Sequence, residues 1–402
     1  MLDAASLDPL FAEFAKIGAL GPADPQPYFA ALRKQGPVHP MQMPGADGVL
    51  VVGYDAVSEV FRDARTFSST GYAQVVGALF GHSILEMDPP EHTRYRSLVQ
   101  QAFSRRALES WRERLVVPYA RALVDRFAAR GRADLTRELA FPFPLEVIAG
   151  MLDVPERDRL RYFRWSLEIL SASSDAGIAQ RAAKQLGEYF APRIEAARGR
   201  SGDDLVTLLA NAELDGARLG VEEILPFIRL LSPAAFETTA RAFSNLMCGL
   251  LGEPAQLGAL QRDPSLIPRA VHEGLRWEPP LIAFARTATV DTTLAGVALK
   301  AGTSVALIVG SANRDETRWQ DPDRFDIHRP LKPHVAFAQG AHTCLGMHLA
   351  TLELETALGV VIERLPGLRP DPSAPAPSIT GGSFRTALRL PVVFEPPAPR
   401  AA

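Results

Sequence analysis

The sequence predicts a mainly α-helical chain with a minor β region, and two observations carry that expectation. From about residue 91 to residue 276, Ala, Leu, Arg and Glu dominate and apolar residues recur at helical spacing, as in "RSLVQQAFSRRALESWRERL". Only three short stretches have the β-branched content and the Gly or Asp punctuation of strands.

In chain order, "MLDAASLDPLFAEFAKIGAL" sets Asp3, Asp8, Glu13 and Lys16 among apolar residues, which suits neither a signal-peptide core nor a membrane span. Residues 1–24 are expected to be an N-terminal extension of a single domain covering 1–402. "GVLVVGYD", near residue 50, is the first extended stretch. "DPPEHTRYR" puts His92 and Arg96 one turn apart on a helix face. "EEILPFIRLLSPAAFETTARAFSNLMCGLL" is a long apolar helix, and Pro233, lacking an N–H, is expected to kink it. "HEGLRW" places Glu273 and Arg276 three residues apart on a further helix. The second extended stretch runs from Ala285 to Gly310. "PDPSAPAPS" reads as a loop, and "FRTALRLPVVFEP" is the third extended stretch.

Hydrophobic residues make up 47% and charged residues 22%, an ordinary globular balance with ample core material. The net charge of -3 argues against a nucleic-acid binder. Cys248 and Cys344 are too few for a disulfide framework, so a reducing, cytoplasmic setting is expected. No stretch reaches about 18 uncharged apolar residues, so no membrane anchor is expected.

"FAQGAHTCLG" sets Cys344 between Gly340 and Gly346, just ahead of "MHLATLELETALGVVIERL", a strong helix. Glycine permits left-handed backbone and the close approach of a bulky group. The helix N-terminus favours a thiolate over a thiol. A thiolate can be a nucleophile, a redox centre or a metal ligand. His342 is too close in sequence to be an easy catalytic partner. There is no C-x-x-C for zinc. A plain core thiol suits Cys248, inside an apolar helix, better than Cys344.

The same ten residues resemble the haem-thiolate loop of the cytochrome P-450 monooxygenases, which reads Phe-x-x-Gly-x-His-x-Cys-x-Gly in bacterial members. Phe337, Gly340, His342, Cys344 and Gly346 match, as does Ala350 farther along the helix. The resemblance covers about residues 25–395. It implies the P-450 fold, a helix-rich triangular prism with small sheets. It implies heme b with Cys344 as the axial thiolate, and O2 as co-substrate. Phe337 is then expected to pack beside the sulfur, and loop N–H groups to tune it.

Further stretches fit the resemblance. It implies a buried Glu273–Arg276 pair locked by Arg329 of "DPDRFDIHRP", a structural network that steadies the loop. It implies that His92, Arg96, Arg286 and His342 hold the heme propionates. "LLSPAAFETTARAF" resembles the oxygen-activation stretch, commonly Ala-Gly-x-acid-Thr. Here Ala234, Ala235, Phe236, Glu237 and Thr238 occupy it, with alanine for glycine. Glu237 and Thr238 are expected to relay protons to the oxygen being activated, the Thr238 hydroxyl bonding back to a helix carbonyl.

The family's substrate-facing segments map onto Tyr72, Phe80, Leu231, Ala234, Ala235, Ile282, Ala283 and Phe384. These are mostly apolar, so an apolar small molecule is expected. No appended flavin or iron–sulfur domain is expected, since the resemblance uses up nearly the whole length. Electrons are therefore expected from a 2Fe-2S ferredoxin and an NAD(P)H-dependent ferredoxin reductase. Arg105, Arg106, Arg112 and Arg114 are candidates for steering an acidic ferredoxin. A monomer is expected. The rival readings are a heme-thiolate protein that binds ligand without turnover, and a peroxide-driven oxygenase.

Overall fold

The computed structural model describes residues 1–16, 24–43 and 46–396. Its axis is the helix Val221–Gly252, buried along most of its length. A helix apolar nearly all round belongs in a core. The helices Pro142–Met151, Ala176–Ala197, Ile267–Trp277 and Met347–Arg364 pack against it. That packing carries the central helix unbroken through Pro226 and Pro233, so the expected disturbance at Pro233 does not end it.

Among the described residues, the minor β region is a five-stranded mixed sheet and four smaller ones. In the large sheet the order is Val38–Met43, Ala46–Val51, Ser304–Ile308, Ala283–Ala288 and Phe67–Ser68. Ser304–Ile308 runs parallel to Ala46–Val51 and antiparallel to Ala283–Ala288, with Val305 opposite Arg286. The first two extended stretches of the sequence are thus neighbours in space. Val51, Val57, Phe61, Leu307 and Trp319 form a second apolar cluster about this sheet. Short strands at Arg132–Asp134, Glu213–Leu214 and Ala217–Arg218 interrupt the helical region. They are too short to leave a period-2 pattern.

Ala4–Lys16 is a helix whose Leu7, Leu10 and Phe14 are buried in the main core. The Leu2 amide donates to Glu146 Oε1 at 3.0 Å. The segment expected as an N-terminal extension is, up to residue 16, packed into the domain; residues 17–23 lie outside the described residues.

Candidate functional site

The thiol loop is built by two glycines and a backbone bond. The Cys344 amide donates to Phe337 O at 2.9 Å, closing the loop on itself. Gly340 has φ +72, and a Cβ there would stand 2.4 Å from Phe61 O, so only glycine fits. Gly346 differs: nothing lies within 4 Å of where its Cβ would be. The helix Met347–Arg364 starts at once after Gly346. Cys344 is accessible, yet surrounding protein pushes its thiol up, opposed by the Gly346 N–H and by Arg96. The sequence reading expects the helix N-terminus to favour the thiolate; desolvation outweighs it in the protein alone. An accessible thiol so crowded lines a space inside the molecule.

A ring of nitrogen donors stands around that loop. His92, on the helix Glu91–Gln101, has its ring 4.2 Å from that of His342. His342 Nε2 is 3.2 Å from Ser69 Oγ. Burial, then His92, Arg286 and Arg96, push His342 down to about 3. His92 is lowered too, by burial and by Arg96, and its buried Nε2 has no partner among the described residues. Arg286 is 6% exposed; Nη1 donates to Ala285 O at 2.7 Å. Neither Arg96 nor Arg286 pairs with a carboxylate among the described residues. Two neutral imidazoles and two guanidiniums without an anion are the donor set that a dicarboxylate would complete. With the open space at Gly346, these residues fit heme b.

On the central helix, Ala234 is exposed and Thr238 half-buried although the helix around them is core. The Thr238 hydroxyl donates to Ala234 O at 2.9 Å. Glu237 takes another direction. It is 1% exposed and ion-paired with Arg241, Nη2 to Oε1 at 2.9 Å. Burial pushes the Glu237 carboxyl up and Arg241 opposes this.

The structural network closes in full. Arg276 grips Glu273 with Nε at 2.7 Å and Nη2 at 2.8 Å. Arg329 Nε reaches Glu273 Oε1 at 3.3 Å. Arg276 Nη1 also donates to Asn313 O and Pro322 O, both at 2.9 Å, and the Asp326 amide donates to Glu273 Oε1 at 2.8 Å. Asn313 Oδ1 then accepts from the Val335 amide, two residues before Phe337. The network is thereby tied to the entry of the thiol loop.

The expected pocket residues divide. Ala234, Ala235 and Leu231 are at least partly accessible on the central helix, and Phe80 is buried. The Tyr72 hydroxyl accepts from the Ala285 amide at 2.9 Å, so it braces a strand. Ile282 is 6% exposed and sits in a separate cluster with Phe29, Val52 and Ile308. Ala283 packs against the same cluster. A bare apolar stretch does not show which side faces a cavity. The Phe384 ring lies 5.7 Å from the Arg241 guanidinium. Sequence reading missed Arg241 and Ser69; the Glu237–Arg241 spacing was a visible signal, whereas Ser69 left none.

A family model for cytochrome P450 matches residues 263–372, which include Glu273, Arg276 and the thiol loop. Cytochrome P450 monooxygenase PikC of Streptomyces venezuelae is 40% identical over 370 residues, 89% of this chain and 88% of that protein.

This chain belongs to the cytochrome P450 family.

Steroid C26-monooxygenase of Mycobacterium tuberculosis is a further P450 relative, 34% identical over 86% of this chain and 94% of its own. Among solved P450 structures, CYP109Q5 from Chondromyces apiculatus superposes with a TM-score of 0.86 at 33% identity, covering 94% of this chain and 97% of that one. The P450 fold and a monooxygenase activity follow from these similarities. Membership implies heme b and O2. Among the described residues no helix is long and apolar enough to cross a membrane.

Proposed function

We propose that this P450 inserts one oxygen atom from O2 into an apolar small organic molecule, by hydroxylation or epoxidation. Electrons come from a separate 2Fe-2S ferredoxin and its NAD(P)H-dependent reductase, and residues 1–402 act as one heme-binding domain. One observation supports the reading: an accessible thiol at Cys344 stands beside four nitrogen-bearing side chains, His92, Arg96, Arg286 and His342, that lack a carboxylate partner among the described residues. Heme b bound there supplies O2 activation and oxygen-atom transfer.

The chain's own residues do the rest. Cys344 would ligate the iron, and Phe337, whose carbonyl ties back the Cys344 amide, would shield the sulfur. The four donors would bind the propionates. Thr238, on the accessible face of the central helix, holds a proton for delivery, and Glu237 replenishes it. Accessible apolar groups at Leu231, Ala234 and Ala235 give the substrate a dry wall.

The test is optical. Reduced protein under carbon monoxide is expected to show the shifted Soret band of thiolate ligation, and Cys344→Ser to lose it. An unshifted band in folded wild-type protein overturns the assignment.

A further inference from the structure

Glu237 is one residue from Thr238, yet its carboxylate is turned into the protein. Two nitrogens of Arg241 reach the same oxygen, Nη2 at 2.9 Å and Nε at 3.2 Å. Both residues are 1% exposed. Arg241 lies over the ring of Phe14, from the N-terminal helix, with its guanidinium carbon 4.4 Å from the centroid. Arg241 Nη2 also approaches Phe14 O at 3.5 Å. Phe14 packs on Phe141 at 5.1 Å, and Phe141 stands edge-on to Phe236, the neighbour of Glu237. A buried ion pair persists only when its geometry and its further contacts offset desolvation. Here the i,i+4 spacing supplies the geometry, and an aromatic face supplies a second contact for the cation.

We propose that Arg241, seated on Phe14 of the N-terminal helix, is a positioning residue for Glu237. It opposes the protonation that burial favours and holds the carboxylate turned from the face that carries Ala234 and Thr238. Proton delivery through Glu237 therefore requires this latch to open. The consequence for delivery rests on the relay described above; the latch itself rests on the contacts. Arg241 is the charged group that acts on Glu237 among the described residues. Removing it leaves a buried carboxyl with every reason to take up a proton.

The experiment uses the heme-loaded full chain. Infrared difference spectra across a pH titration report the protonated-carboxyl band of Glu237, assigned by its absence in Glu237→Gln. In Arg241→Met the band is expected to persist about one pH unit or more above its wild-type midpoint, tenfold in proton affinity. Arg241→Lys, which keeps the charge, is expected to restore the wild-type midpoint. Phe14→Leu, which keeps the packing but not the ring face, shifts it in the same direction by less. Equal midpoints in wild type and Arg241→Met overturn the inference. If Arg241→Met fails to fold, an unmoved midpoint in Phe14→Leu overturns it.

Peroxide released per NAD(P)H, without added substrate and with a 2Fe-2S ferredoxin and reductase, is read on the same variants. A pH profile that moves with the band supports the latch as part of delivery. A moved band with an unmoved profile keeps Arg241 as the residue that positions Glu237 and removes Glu237 from the relay.

Discussion

Gly340 and Gly346 serve one loop for opposite reasons. Gly340 is glycine because protein is there already, at 2.4 Å from a would-be Cβ; Gly346 is glycine because nothing is. Gly340→Ala is expected to cost about 1–3 kcal/mol, from positive φ and the clash, measured by chemical denaturation. Gly346→Leu is expected to fold, with unchanged far-ultraviolet circular dichroism, while binding far less heme. Thr238→Ala removes the hydroxyl bonded to Ala234 O. Product formation is expected to fall on the order of 10²-fold, with NAD(P)H consumption diverted to peroxide. Retained coupling would remove Thr238 from the relay. The thiol loop was legible in the sequence because its determinants lie within ten residues. The i,i+4 spacing of Glu237 and Arg241 was visible too; that Arg241 is seated on Phe14, more than two hundred residues away, was not.

The helix Ile267–Trp277 shows how spacing becomes an anchor. Glu273 and Arg276 alone would be a surface pair of little worth. Buried at 3% and 0% exposure, with Arg329 and four backbone partners, they become costly to break. Arg276→Met is expected to destabilise the protein by about 3–5 kcal/mol in urea unfolding. The same helix presents His272, its ring 4.7 Å from that of His334. Burial, then His272 and Arg276, push His334 down to about 3. An unfolded histidine takes up a proton below about pH 6.5, whereas folded His334 refuses it until about pH 3. The unfolded state then binds more protons, so stability falls as pH drops through that window. Unfolding free energies at pH 7.5 and 5 are expected to converge in His334→Gln relative to wild type. The Glu273–Arg276 spacing was visible in the sequence; its burial came only with the chain segment from Asn313 to Arg329.

The assembled molecule decides which surface charges are free. Arg112 pairs with Glu109, and Arg114 with Asp203. Arg105 and Arg106 are exposed and make no ion pair among the described residues. Replacing Arg105 and Arg106 by Glu is therefore expected to slow reduction by ferredoxin and flatten its salt dependence, measured by stopped flow. Arg112→Glu is expected to do less. Equal effects would show that docking uses another face. Ile282 likewise finds its packing partners, Phe29, Val52 and Ile308, only in the assembled molecule.

By itself the sequence determined the fold class, the thiol loop, the Glu273–Arg276 helix and the acid–hydroxyl pair at Glu237 and Thr238. Each is set by contacts within about one or two helical turns, so spacing alone encodes it. Only the tertiary structure decided that residues 4–16 join the core, that the Glu237–Arg241 pair is buried against Phe14, and that Ile282 packs with Phe29, Val52 and Ile308. Those outcomes depend on which distant side chains meet in a dry interior, and no local pattern carries that information.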